Sequence, residues 1–398
     1  MKLLEPIVAW HHDISKIRRD IHAHPELAFE EFRTADVVAA KLEEWGIEIH
    51  RGLGGTGVVG IIRGNRPGDR AVGLRADMDA LPMQEVNTFA HASKNDGKMH
   101  ACGHDGHTAM LLAAARYLSQ HRDYAGTVYV IFQPAEEGGG GAKRMIDDGL
   151  FTRFPMEAVF GMHNWPGMKP GQFGLTPGPI MASSNEFSIV VKGKGTHAGM
   201  PNLGIDPVMA AVQLAQSLQT IITRNRNPLD AAVLSITQIH AGSADNVVPN
   251  HAELRGTVRT FTLEVLDLIE RRMEEIARHT CAAMDCEVEF TFQRNYPPTI
   301  NHPEEAAFCA DVLRDIVGDA NVNDQVQPTM GAEDFAFMLQ ELPGCYVWIG
   351  NGTGDHRDSG HGLGPCTLHN GSYDFNDELL PLGGTYWVQL ALKRLAKA

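Results

Sequence analysis

The densest chemistry-bearing run in the 398-residue chain is His100-Ala101-Cys102-Gly103-His104-Asp105-Gly106-His107, where thiol, imidazole and carboxylate crowd the mouth of a helix. A thiolate is a strong, soft ligand whose charge can be shared between two cations, and imidazole suits Zn and its neighbours, so Cys102 and His104 read as ligands of a divalent metal. The bland alternative is a polar loop with Asp105 capping the helix and a buried cysteine. A second signal is Gln133-Pro134-Ala135-Glu136-Glu137-Gly138-Gly139-Gly140, two carboxylates where a strongly apolar strand runs into a Gly-rich loop. Sheet enzymes place their chemistry at such an edge. One carboxylate can ligate metal while its neighbour takes a proton from water, and metal-assisted amide hydrolysis needs both roles.

His163 follows the apolar run 158–162, again at a strand end, and His369 lies in Thr367-Leu368-His369-Asn370-Gly371. Either alone reads as a structural histidine. The repeated context raises both, because metal sites collect ligands from strand ends remote in sequence.

The elements that must position these groups follow from hydrophobic periodicity. Apolar runs at 57–63, 71–78, 127–133 and 158–163 alternate with helical patterns at about 105–121 and 141–150, which predicts an α/β sheet domain. After the turn-rich GLTPGPIMASS the order becomes strand 187–192, helix 206–224, strands 232–240 and 253–261, helix 263–283 and strand 287–293. That βαββαβ order is the signature of a ferredoxin-like α+β unit. Near Tyr296-Pro297-Pro298 the chain leaves it, and the rest reads as helices plus a strand at 345–349, with a last helix from about Leu380. The simplest architecture is a catalytic domain from both ends of the chain, 1–183 and 297–398, with a small domain inserted at 184–296.

Composition narrows the partners. Hydrophobic content of 43% and 21% charged residues suit a globular protein, with room for about two or three domains. A net charge of −15, with 34 Lys and Arg among 49 Asp and Glu, argues against a nucleic-acid binder and favours small substrates or divalent cations. The N-terminal stretch 3–10 is broken by Glu5 and Pro6 and lacks a secretory apolar region, and no apolar run reaches the ~18 residues of a membrane span. Six cysteines in such a chain read as reduced thiols, so the expected compartment is the cytoplasm.

The segments RRDIHAHPEL, RADMDALP, HACGHDGHTAML, FQPAEEG, FGMHN, GKGTHAGMP and GAEDFA, in order from about Arg18 to His369, resemble the aminoacylase and carboxypeptidase family of dinuclear zinc peptidases. More narrowly they resemble its hippurate hydrolase and indole-acetyl-amino-acid hydrolase branch. The resemblance implies a zinc-peptidase-like catalytic domain with a mixed sheet, and an inserted ferredoxin-like domain serving as lid and dimerisation unit. It implies that Cys102 bridges two divalent metals, with Glu137 and His369 completing one site and His104 and His163 the other, while Glu136 is the general base. Zn is the expected metal, with Mn, Co or Ni also compatible. Many members carry an early His-x-Asp where this chain has Arg75-Ala76-Asp77-Met78-Asp79, which puts Asp77 in doubt as a ligand and leaves Asp79 to support one.

His197 maps onto a family histidine that reaches a partner subunit's active site to stabilise the oxyanion, which implies a homodimer. Asn246 and Arg259 map onto groups that bind substrate, and a guanidinium can hold a carboxylate with two parallel hydrogen bonds. The expected substrate is a small N-acyl amino acid, cleaved to a carboxylic acid and a free amino acid; the alternative is a dipeptidase or aminopeptidase on the same scaffold.

Other classes fit less well. Gly52-Leu53-Gly54-Gly55-Thr56-Gly57 formally matches a dinucleotide-binding fingerprint, but a strand follows at once where a helix N-terminus is needed, so a hairpin turn is expected. Neither G-x-S-x-G nor H-E-x-x-H occurs. A purely structural metal protein has no need for Glu136 beside Glu137.

Overall fold

The computed structural model describes residues 1–357 and 359–396. By contacts the chain divides into two compact units, one of Met1–Ile180, Ile300–Gln327 and Asp334–Ala398, the other of Met181–Thr299 and Pro328–Glu333. The sequence reading assigned 328–333 to the first unit. That segment joins the second through local pairing, since the Ala182 N–H donates to Thr329 O (3.1 Å) and Gly331 O (2.9 Å).

The first unit opens with helices α1 (Glu5–Ala9), α2 (His11–Ala23) and α3 (Phe32–Glu44), which the sequence reading did not assign. Its strands β1 (Glu48–Leu53), β2 (Gly57–Arg63), β3 (Arg66–Asp77), β4 (Ala125–Gln133), β5 (Ala158–Pro166) and β6 (Phe173–Gly174) surround helix α4 (His104–Gln120) in sequence. The second unit supplies β7 (Ser184–Lys192), α5 (Pro207–Thr220), β8 (Ala232–Ala241), β9 (His251–Thr260), α6 (Leu263–Ala282) and β10 (Glu287–Tyr296). The first unit then resumes with α7 (Pro303–Val317), β11 (Val322–Asn323), β12 (Gly344–Gly352) and α8 (Leu380–Ala396).

In the first unit eight strands form one sheet in the order β1-β2-β4-β3-β5-β12-β6-β11. It is mixed: β4, β3, β5 and β12 run parallel, while β1 with β2, β2 with β4, and β12 with β6 are antiparallel. The stretch expected to be a hairpin is the turn between β1 and β2. Nearly every residue of β2, β5 and β12 is buried, as expected of strands covered on both faces. Helix α4 is buried along most of its length and packs against α2 and α8, so its N-terminus is held rigidly at the C-terminal edge of the parallel strands.

The second unit has its own core, centred on Phe187, Ile189, Leu214, Leu254, Ile269 and Met273. Its four strands are antiparallel in the order β8-β9-β7-β10. Along β9 Ala252, Leu254, Val258 and Thr260 are buried, the alternation of a sheet packed on one face. The two helices start as sequence chemistry dictates: the Asp206 carboxylate accepts Val208 N–H at 2.8 Å ahead of Pro207, and the Thr262 hydroxyl accepts Val265 N–H at 3.3 Å. The helix expected at 206–224 leaves α geometry after Thr220, and Ile221–Asn225 wind as a π-turn. Among the described residues no helix is long and apolar enough to cross a membrane.

Candidate active site

The C-terminal ends of β3, β4 and β5 and the N-terminus of α4 converge. Gly103 precedes α4 with φ +91°, a left-handed conformation that glycine adopts without cost. A Cβ there would lie 2.3 Å from Asn164 Nδ2 and 2.5 Å from the Tyr373 hydroxyl, so the turn that aims Cys102 and His104 inward has no room for a side chain.

Five side chains singled out from the sequence meet at this point. Ligand atoms of Cys102, His104 and His163 lie within 4.8 Å of one another, and so do those of Cys102, Glu137 and His369. Cys102 is common to both groups, with its Sγ 3.3 Å from His163 Nε2. Glu136 lies beside them, one carboxylate oxygen 4.0 Å from His104 Nε2. Near the C-terminus His369 takes a left-handed φ of 57°, and its Nε2 sits 3.2 Å from Glu137 Oε1.

Supporting hydrogen bonds set the tautomers. His163 Nδ1 lies 2.6 Å from the Asn164 carbonyl, which can only accept, so the proton sits on Nδ1 and the Nε2 lone pair faces Cys102. His104 Nδ1 lies 3.2 Å from Asp79 Oδ1 by the same logic, and His104 Nε2 is buried with no hydrogen-bond partner among the described residues. The other Asp79 oxygen accepts the Glu137 N–H at 2.9 Å.

Asp77, His104 and His107 also bring ligand atoms within 4.8 Å, which on proximity alone is a third candidate cluster. The facing atoms of Asp77 and His107 are already engaged. Asp77 accepts from His107 Nδ1 (2.7 Å) and Arg75 Nη1 (2.7 Å), and His107 Nε2 accepts the Asn164 N–H (2.9 Å). Arg75 in turn reaches Gln133 (2.8 Å) and Asp334 (3.0 Å). The pair is therefore scaffold: Asn164 Nδ2 donates to the Cys102 carbonyl at 2.6 Å, so the chain Arg75-Asp77-His107-Asn164 ends on the cysteine loop.

The electrostatics call for cations. Burial and the facing carboxylates Glu137, Glu136 and Asp77 push the Cys102 thiol well above its ordinary range. Burial pulls His104 down, but Asp77, Asp79 and Glu137 outweigh it and hold the ring up at about 10. Burial and then His107 keep His163 well below its ordinary value, a neutral imidazole able to donate a lone pair. Carboxylates and a thiol this close are relieved by positive charge, and the soft and nitrogen donors suit divalent metals of the Zn type.

The remaining sequence-derived residues lie in the second unit. His197, exposed on the two-residue strand Thr196–His197, pairs with Val247, and the Asn246 carbonyl accepts the Ala198 N–H at 3.0 Å. Both line an open groove of about 830 Å³ shared with His240 and His251. Arg259, half-buried on β9, is not among that groove's lining residues; it donates to Thr257 Oγ1 (2.5 Å) and the Val258 carbonyl (3.3 Å).

Arg75, His107, Asn164 and Asp334 are not singled out in the sequence, although RADMDALP, HACGHDGHTAML, FGMHN and GAEDFA contain all four. Nor is Glu31, fully buried with an oxygen 2.9 Å from the Ala135 nitrogen. The one available signal was the run of acidic residues in HPELAFEE, which reads as solvated.

Residues 73–393 match the peptidase family M20/M25/M40. The chain is 41% identical to a hippurate hydrolase of Campylobacter jejuni, over 99% of this chain and 100% of that one. It is 39% identical to an N-acetylcysteine deacetylase of Bacillus subtilis, over 96% and 97%. The crystal structure of a dinuclear metal-binding M20 peptidase from Bacillus subtilis, 35% identical, superposes with a TM-score of 0.84 over 98% of this chain and 99% of that one.

Proposed function

This chain belongs to the M20/M25/M40 peptidase family, and from that premise we propose that it is a metal-dependent amidohydrolase that cleaves small N-acyl amino acids to a carboxylic acid and a free amino acid. The observation that carries the reading is Cys102 shared between the group with His104 and His163 and the group with Glu137 and His369. A thiolate common to two ligand sets suits two divalent cations, with Glu136 left beside them as the base. We assign Zn as the metal because the donors are one thiolate and three imidazoles among carboxylates.

Bound divalent cations supply Lewis acidity toward the amide carbonyl and lower the pKa of water toward neutrality. Glu136 takes the proton of the attacking water and passes it to the departing amine. His104 and His163 keep their Nε2 lone pairs aimed inward because Asp79 and the Asn164 carbonyl hold the opposite nitrogens. In this proposal the His197 ring stabilises the oxyanion from a partner subunit, and Asn246 and Arg259 hold the carboxylate of the amino-acid half. The second unit then acts as a ferredoxin-like lid and dimerisation domain; its antiparallel sheet order and exposed His197 support this. A cytoplasmic location agrees with six unpaired, buried cysteines.

The test is amine release from hippurate, N-acetyl amino acids and unblocked dipeptides, with and without chelator. Chelator-sensitive cleavage of the acylated substrates is expected. Cleavage confined to dipeptides moves the chain to peptidase chemistry.

A further inference from the structure

Glu136 follows a residue in an unusual conformation. Ala135 has φ +53°, a left-handed backbone that a non-glycine residue holds only where its surroundings impose it. Three contacts impose it. The Ala135 N–H donates to Glu31 Oε1 (2.9 Å), the Ala135 carbonyl accepts the Gly141 N–H (3.0 Å), and two residues on the Glu137 N–H is held by Asp79 (2.9 Å). Glu31 is itself fixed: the same Oε1 accepts the Phe29 N–H at 3.0 Å, and Oε2 accepts the Thr56 hydroxyl at 2.5 Å. The carboxylate is fully buried, and burial, opposed by the Thr56 hydrogen bond, pushes it up to about 7. An acidic side chain with no ion-pair partner among the described residues, kept in such a place, needs a reason.

We propose that Glu31 is a positioning residue for the general base: its carboxylate, by accepting the Ala135 N–H, locks the left-handed turn that presents Glu136 to the substrate, while Asp79 fixes the far side of the same Glu136-Glu137 pair. Two buried carboxylates thus grip the backbone on either side of the base, one through residue 135 and one through residue 137. The division of labour is chemical. Asp79 also holds the ligand His104, so its loss disturbs metal, whereas the hydrogen bonds of Glu31 go to Phe29, Thr56 and Ala135, none of them a ligand. The inference rests on Glu136 being the base.

Three variants of the metal-loaded enzyme test it. Glu31→Gln keeps an oxygen for the two N–H groups and can donate its amide to Thr56, so kcat should stay within about fivefold of wild type. Glu31→Asp keeps the charge but withdraws the acceptor by one methylene, so kcat should fall about 100-fold, the scale of a displaced general base, with KM and the two-metal stoichiometry unchanged. Adding Ala135→Gly to Glu31→Asp should recover about tenfold, because glycine adopts the left-handed conformation without being held. Wild-type kcat in Glu31→Asp overturns the proposal, as does an equal loss in the Gln variant or a loss that follows departing metal. Glu136→Gln, run alongside, separates the two levels. If it retains full activity the base assignment fails; if it is inactive while Glu31→Asp is normal, only the role of Glu31 fails.

Discussion

The Asp79 carboxylate stands 3.2 Å from His104 Nδ1 with one oxygen, and its other oxygen is occupied by the Glu137 N–H. A carboxamide cannot accept both of these donors. In Asp79→Asn the NH2 group must face either the Glu137 N–H, displacing that ligand, or His104 Nδ1, moving the ring proton onto the nitrogen meant for metal. Metal affinity should fall about 10- to 100-fold, read by competition with a chromophoric chelator, with little change in the far-UV circular dichroism.

Gly103→Ala places a methyl 2.3 Å from Asn164 Nδ2 at a φ of +91°. The strained backbone alone costs about 1–3 kcal/mol, and relief requires Asn164 to release the Cys102 carbonyl. The variant should melt several degrees below wild type and bind metal more weakly. Full retention of both by thermal shift and metal analysis would contradict the role given to the Asn164 clamp.

Cys102, His104 and Glu137 were legible because the motif itself carries them: HACGHDGHT and FQPAEEG concentrate thiol, imidazole and carboxylate where a strand or helix boundary is also visible, whereas His163 and His369 stood out only by repeated context. His107 lies in the first of these motifs and Asp77 in RADMDALP, with the same residue types; the departure from His-x-Asp already puts Asp77 in doubt, and the structure separates both from the ligands, because what decides is which lone pairs are already taken by Arg75 and Asn164. Glu31 was hidden for the opposite reason. A carboxylate in an acidic run is ordinarily solvated, and nothing local shows that the Ala135 N–H, more than a hundred residues on, will meet it. Strands β2 to β5 and β12 followed from their apolar runs, whereas β1 and the two-residue strands β6 and β11 did not, and residues 328–333 have no apolar pattern and are placed by pairing to Met181 and Ala182 and by the Thr299 hydroxyl on the Glu333 carbonyl.

A buried ion cluster beneath the site makes stability fall at alkaline pH. His22 is enclosed with Nδ1 2.8 Å from Asp105 and Nε2 3.3 Å from Glu85; burial pulls its pKa down, but Asp105 and Glu85 outweigh it and raise it from 6.5 to about 10. The folded state therefore holds this proton more tightly than the unfolded chain. The contribution is complete below about 6.5 and is lost as pH rises through about 10. In chelated protein the urea midpoint should drop between pH 6.5 and 10 by more in wild type than in His22→Gln, a difference on the order of a few kcal/mol at low pH. Parallel pH curves for the two proteins would rule the cluster out as the cause.

Metal removal should expose a conflict between stability and chemistry at Glu136. Without cations Glu136, Glu137 and Asp77 surround a thiol whose ionisation they oppose, and like charges in a buried site destabilise the fold. Cation binding restores stability by mass action, so chelation should lower Tm by an amount that recovers with added Zn. Glu136→Gln removes one of these charges while keeping the side chain's shape. In chelated protein it should melt higher than wild type, by about 1 kcal/mol or a few degrees, and in loaded protein it should lose turnover by at least about 100-fold with both metals retained. That opposite movement of Tm and kcat separates a base held against its own electrostatic cost from a glutamate that only fills space, which on neutralisation would leave the apo Tm unchanged and the rate intact.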